Sequence, residues 1–141
     1  MAAARQFSAR MDAALLDRLE RRGARVGVNK SRLAERYIDE GLRTEDHPGI
    51  VFRDGPAGRR PGLAAGPDVW EVIGVLNGAP DRGEAAISYT ADYLNLPLAH
   101  VRSAVSYYAA YKPEVDAWIA RNDEEAEAAE AAWQREQAVL A

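Results

Sequence analysis

The chain has no cysteine among its 141 residues. That excludes disulfides, thiolate metal ligands and cysteine nucleophiles. Histidine is almost as scarce, with His47 and His100 far apart in sequence. No apolar run approaches the ~18 residues that span a bilayer. The opening MAAARQFSAR lacks the apolar stretch of a secretory signal, so no membrane partner and a cytoplasmic setting are expected. There is no HExxH, Walker loop or GxGxxG. The stretch DGPAGRRPG has glycines and arginines but not the Lys-Ser/Thr ending of a phosphate loop, and it reads as a turn between strands. Asp46 beside His47 is too small a set for a metal or acid–base centre, and the C-terminal acids are too loosely placed for one. The chain is therefore expected not to be an enzyme, with no catalytic residue, no metal ligand and no cofactor.

What is present is unevenly distributed. Apolar residues make up 48% of the chain, enough for a real core. Residues 1–43 hold ten basic side chains against six acidic ones, a net of +4. Residues 44–141 hold eight against sixteen, a net of -8. A basic head on an acidic body suits a polyanion-binding module joined to something else.

In RQFSARM, residues 5–11, Gln6, Ser8 and Arg10 alternate with Phe7, Ala9 and Met11, the period of a strand. A helix over 12–25 follows, capped by Asp12 and stopped by Gly27, with Gly23 weakening its last turn. Asn29 caps a second helix running to about residue 42. The run RTEDHPG reads as a linker over 44–49. Residues 50–54 and 59–63 suggest a hairpin with Pro61 on an edge. Further helices are expected near 68–78, 84–94 and 98–111. Pro113 opens a last helix, which from Asn122 onward is rich in Ala and Glu.

A strand and two short helices cannot bury themselves in 43 residues, and the lone strand has no partner. The simplest completion is a second copy, with strands paired across a two-fold axis above four helices. RQFSARMDAALLDRLERRGARVGVNKSRLAERYIDEGLR resembles the ribbon-helix-helix repressors of the MetJ/Arc/CopG superfamily. The resemblance covers residues 5–43, and Ala9 is smaller than is common there. It implies an intertwined homodimer whose two-stranded ribbon enters the major groove. Gln6, Ser8 and Arg10 then become base readers, Arg suited to guanine and Gln to adenine. The amides of Asn29, Lys30 and Ser31 would hold a phosphate at the helix start.

HPGIVFRDGPAGRRPGL and LNLPLAHVRSAVSYYAAY are similar to a small domain, the domain of unknown function 433, that accompanies antitoxins beside PIN-like ribonuclease toxins. That resemblance spans about residues 47–120 and implies a short hairpin followed by a helix-turn-helix-like unit. A DNA-reading role for the unit is poorly supplied, because Arg102 is the one basic residue between 84 and 111. A protein-binding role is better supplied. Trp70, Tyr107, Tyr108, Tyr111, Trp118 and Trp133 are candidate partner contacts, and the acidic run 122–136 suits a basic surface.

The expected architecture is mainly α, in four parts. Residues 1–43 form a ribbon-helix-helix dimerisation and DNA-binding domain, and 44–49 a linker. Residues 50–120 form a helical domain with a short hairpin, and 121–141 an acidic helix or tail. The expected function is a repressor acting as the antitoxin of a toxin–antitoxin pair, resembling VapB-type antitoxins. It would bind double-stranded operator DNA as a homodimer, or as a higher oligomer there, together with a small basic toxin. A stand-alone regulator whose second domain sets oligomeric state, and a protein-interaction scaffold without DNA binding, are the alternatives.

Overall fold

The computed structural model of the chain describes residues 3–141. It is mainly helical and divides into two compact units, Met1–Leu42 and Arg43–Ala141. No helix among the described residues is long and apolar enough to cross a membrane.

In the first unit, residues 3–12 carry no regular element and are exposed throughout. A strand is defined by its hydrogen-bonded neighbour, and the single chain supplies none there. Helix α1, Ala13–Val26, starts where Asp12 Oδ2 accepts from the Leu15 amide at 3.0 Å. It ends at Gly27, whose left-handed backbone (φ 71°) returns its amide to the Gly23 carbonyl. Helix α2, Lys30–Asp46, is capped by Asn29, whose Oδ1 accepts from Arg32 N at 2.9 Å. Gly23 has a larger role than its low propensity suggests. A Cβ there would lie 2.5 Å from the Val28 carbonyl oxygen, so the α1–α2 joint can close only over glycine.

Helix α2 passes through the expected linker and stops only at Asp46. The helical bonding continues as the His47 amide reaches the Arg43 carbonyl at 2.8 Å. Pro48 and Gly49 (φ 94°) then turn the chain. The break is thus set by His-Pro-Gly, not by the polar Arg-Thr-Glu-Asp before it, which is compatible with helix.

In the second unit, β1, Ile50–Arg53, pairs antiparallel with β2, Arg60–Leu63, placing Ile50 opposite Leu63 and Phe52 opposite Pro61. The sheet has two strands, and an isolated bridge from Gly62 to Asp68 borders β2 on its other side. Four helices follow: α3, Val69–Asn77; α4, Glu84–Leu94; α5, Leu98–Ala110; and α6, Lys112–Leu140. Asn95 takes a left-handed conformation (φ 53°) and Pro97 precedes α5, so α4 and α5 meet across a tight joint. Helix α3 packs on α4, α5 and α6, and α5 also covers the hairpin. Ile50, Val69, Ile73, Val101, Tyr107 and Val115 are fully buried at the centre. Each such burial is worth about 1.5–3 kcal/mol. The acidic segment 121–141 is not a separate element, because α6 is one continuous helix. High helix propensity carries Ala and Glu on without needing apolar contacts.

Candidate nucleic-acid interface and partner surfaces

Gln6, Ser8 and Arg10 are all exposed in the first unit. Their apolar neighbours are exposed as well: Phe7 is 81% accessible and Met11 43%. Asn29, Lys30 and Ser31 open α2 on the surface. The Asn29 side chain occupies the Arg32 amide, leaving the earlier amides of the turn for an outside acceptor. Lys30 Nζ pairs with Glu20 Oε1 at 3.1 Å, so its charge is shared with α1 and not aimed solely outward. A phosphate there would have to draw Lys30 from an exposed, weak pair.

The aromatic candidates separate into distinct environments. Tyr107 is fully buried, and in this chain it is a core residue with no surface to offer. Its hydroxyl accepts from Arg43 Nη1 at 2.8 Å. The same nitrogen donates to Glu114 Oε2 at 2.6 Å, and the guanidinium lies 4.0 Å from the centre of the Tyr111 ring. Burial pushes the Tyr107 hydroxyl up to about 12, only partly opposed by the Arg43 bond. Burial also works against the Arg43 charge, but the bonds to Glu114 and Tyr107 together outweigh it and raise its pKa. Tyr108 is half-buried and donates to Asp116 Oδ1 at 2.6 Å. His47 stands edge-on to Tyr107 and Tyr111, with Nδ1 3.2 Å from Ser106 Oγ. Arg43, Glu114 and these rings form a polar seam at the edge of the second unit's core.

Trp70 and Trp118 are half-buried and line one open cleft of about 240 Å³. The hairpin turn at Pro56 and Ala57, the start of α3 and the middle of α6 form its walls. Trp133 is set apart from them on α6, 58% exposed, with Val139 and Leu140 more exposed still.

One feature of this cleft was hidden from sequence reasoning. Asp68 occupies the α3 cap position, yet its side chain does not cap the helix. It instead holds two arginines of the hairpin. Arg53 Nη2 donates to Oδ1 at 2.9 Å, and Arg60 Nε donates to Oδ2. Arg53 also donates to the carbonyls of Leu63 and Gly66. This triad fastens β1 and β2 to the start of α3. An Asp directly before a helix ordinarily caps it. The hairpin places two guanidiniums there, and a doubly paired carboxylate prevails over a single amide bond. Glu71, one turn on, has its pKa raised by burial and by the Asp68 charge, against a backbone hydrogen bond from Asp68 and the two arginine charges.

Among the described residues no group of three or more His, Cys, Asp or Glu could hold a metal ion. No family model matches the chain, and neither a curated protein nor a solved structure matches it.

Proposed function

We propose that the chain is a homodimeric ribbon-helix-helix repressor that binds operator DNA through residues 5–11, with a second unit that binds a basic protein partner as an antitoxin does. One observation carries the DNA-binding half. The first unit holds two amphipathic helices that do not pack face to face, and Gly23 and Leu33 alone are buried among its described residues. Phe7, Met11, Leu15, Val26, Ile38 and Leu42 are exposed. So many open apolar side chains on so short a unit call for a covering surface. A second copy supplies one, and it also supplies the missing strand for residues 5–11. Pairing the two strands would put Phe7, Ala9 and Met11 on the helices and leave Gln6, Ser8 and Arg10 to the major groove.

The partner half is supported by the exposed end of α6. Residues 122–141 carry six acidic side chains and one basic one, with Trp133, Val139 and Leu140 exposed among them. A basic toxin of the PIN-like ribonuclease kind has the complementary charge.

Selection from a random duplex library, followed by anisotropy titration, tests the first half. The expected selected site is an inverted repeat. Changing Gln6, Ser8 and Arg10 together to Ala should weaken specific binding by at least about tenfold, since each bidentate contact contributes about 1–3 kcal/mol of discrimination. Unchanged affinity in the triple variant would refute the ribbon assignment. Co-purification from the native cells, with and without Trp133→Ala, tests the partner half. Retention of a basic nuclease by the wild type and its loss in the variant is the expected pair of results.

A further inference from the structure

The cleft between the hairpin turn, α3 and α6 is assigned neither to DNA contact nor to the exposed end of α6. We infer that it is a receptor for an arginine side chain presented by a protein partner. The inference rests on the partner-binding half of the proposed function and gives it a specific contact.

Trp70 and Trp118 contribute aromatic surface to an opening of about 240 Å³, and a flat guanidinium is the cation that best covers an indole face. Three carboxylates line the same opening, those of Asp68, Glu71 and Glu125, against the guanidiniums of Arg60 and Arg121. Both arginines are engaged. Arg60 is held on Asp68, while Arg121 donates to the Ala57 carbonyl at 2.9 Å and lies 5.2 Å from the Trp118 ring centre. The Arg60–Asp68 pair cancels internally, and Arg53 adds a second cation on the same carboxylate from outside the cleft. Glu71 and Glu125, set against Arg121, leave the lining itself one negative charge in excess for a guest to meet. Glu71 is partly withdrawn from water, an environment that disfavours its charge until a cation arrives. The surrounding unit is acidic, which steers a cationic group inward. Arginine is favoured over lysine because its planar fork can stack on indole and bond a carboxylate at two points at once.

The test is a proton–nitrogen NMR titration of the full chain, following the indole N–H signals of Trp70, Trp118 and Trp133. The probes are N-acetyl-arginine amide, N-acetyl-lysine amide, N-acetyl-norleucine amide, free L-arginine and inorganic phosphate. The expected result is saturable movement of the Trp70 and Trp118 signals with the arginine amide, with a Kd on the order of millimolar to tens of millimolar, as suits so small a ligand. Trp133 should stay still. The double variant Glu71→Gln/Glu125→Gln, whose core signals should remain dispersed, is expected to weaken binding about tenfold. Unmoved Trp70 and Trp118 signals would overturn the inference, as would an equal response to the norleucine amide or to phosphate. Much tighter binding of free L-arginine would also overturn it, pointing to an amino-acid ligand in place of a protein one. Failure here leaves the partner-binding reading intact, because co-purification with Trp133→Ala reads that separately.

Discussion

The two units solve the problem of burial in opposite ways. The second closes a core within one chain, where Ile50 from the hairpin, Ile73 from α3, Val101 from α5 and Val115 from α6 are each fully buried. The first has well-capped helices and almost no interior. Its helices are locally correct, with Asp12, Gly27 and Asn29 doing what capping chemistry requires. Caps set where a helix begins and ends, but an apolar face still needs something to lie against. The difference teaches that a segment can be locally consistent and globally incomplete. That incompleteness is what the proposed second copy would fill.

The largest expected effect comes from breaking the second unit at its ionic fastening. Asp68→Ala would strand Arg53 and Arg60, whose side chains are partly exposed, and losing the charge-assisted bonds to both is expected to cost about 3 kcal/mol. Thermal denaturation should show the loss, and the shift should not depend on protein concentration. A concentration-dependent shift would mean that this unit is also completed by another chain.

Gly23→Ala strikes the first unit instead. The new methyl would meet the Val28 carbonyl, and overpacking of this kind costs about 1–3 kcal/mol despite the better helix propensity of alanine. If a second copy completes this unit, as proposed, the loss should deepen on dilution.

Tyr107→Phe probes the polar seam more gently. It removes the hydroxyl that Arg43 uses, and about 1–2 kcal/mol is expected from a part-buried charge-assisted bond. The pH dependence follows from the raised pKa. The unfolded chain releases its tyrosine protons near 10, whereas Tyr107 in the fold holds its proton to about 12. Between those values the unfolded state binds fewer protons, so stability should fall as pH rises. Below about pH 10 this contribution is fully present. The fall should be shallower in Tyr107→Phe, as chemical denaturation across that range would show.

Lys30→Ala should change stability least, by about 0.5 kcal/mol or less, because its pair with Glu20 is exposed. Its effect on DNA is separable from stability. If Lys30 leaves Glu20 for a phosphate, the slope of log affinity against log salt should drop by about one unit.

Much of the chain's outline could be read from residues close together in sequence. Asp12 and Gly27 marked α1, Asn95-Leu96-Pro97 marked the α4–α5 joint, and the glycines around residue 58 marked the hairpin. Each is a local constraint on the backbone. What stayed hidden depends on distance. Asp68 was legible only as a helix opener, because the arginines that claim it come from the hairpin. Tyr107 looked like an interface residue because its burial depends on β1, α5 and α6 meeting. The continuation of α2 to Asp46 was obscured by a polar run that helices tolerate well. The candidate base readers were named by the resemblance; alternation itself specifies two faces of a strand without specifying what lies against either.

Sedimentation equilibrium of the full chain most directly tests the claim that the first unit is completed by a second copy. The predicted result is a mass twice that of the 15.4 kDa chain. Dissociation on dilution should abolish hydrogen-exchange protection in residues 13–42 while leaving the second unit's core protected. A single-chain mass with α1 and the first half of α2 still protected would contradict the account.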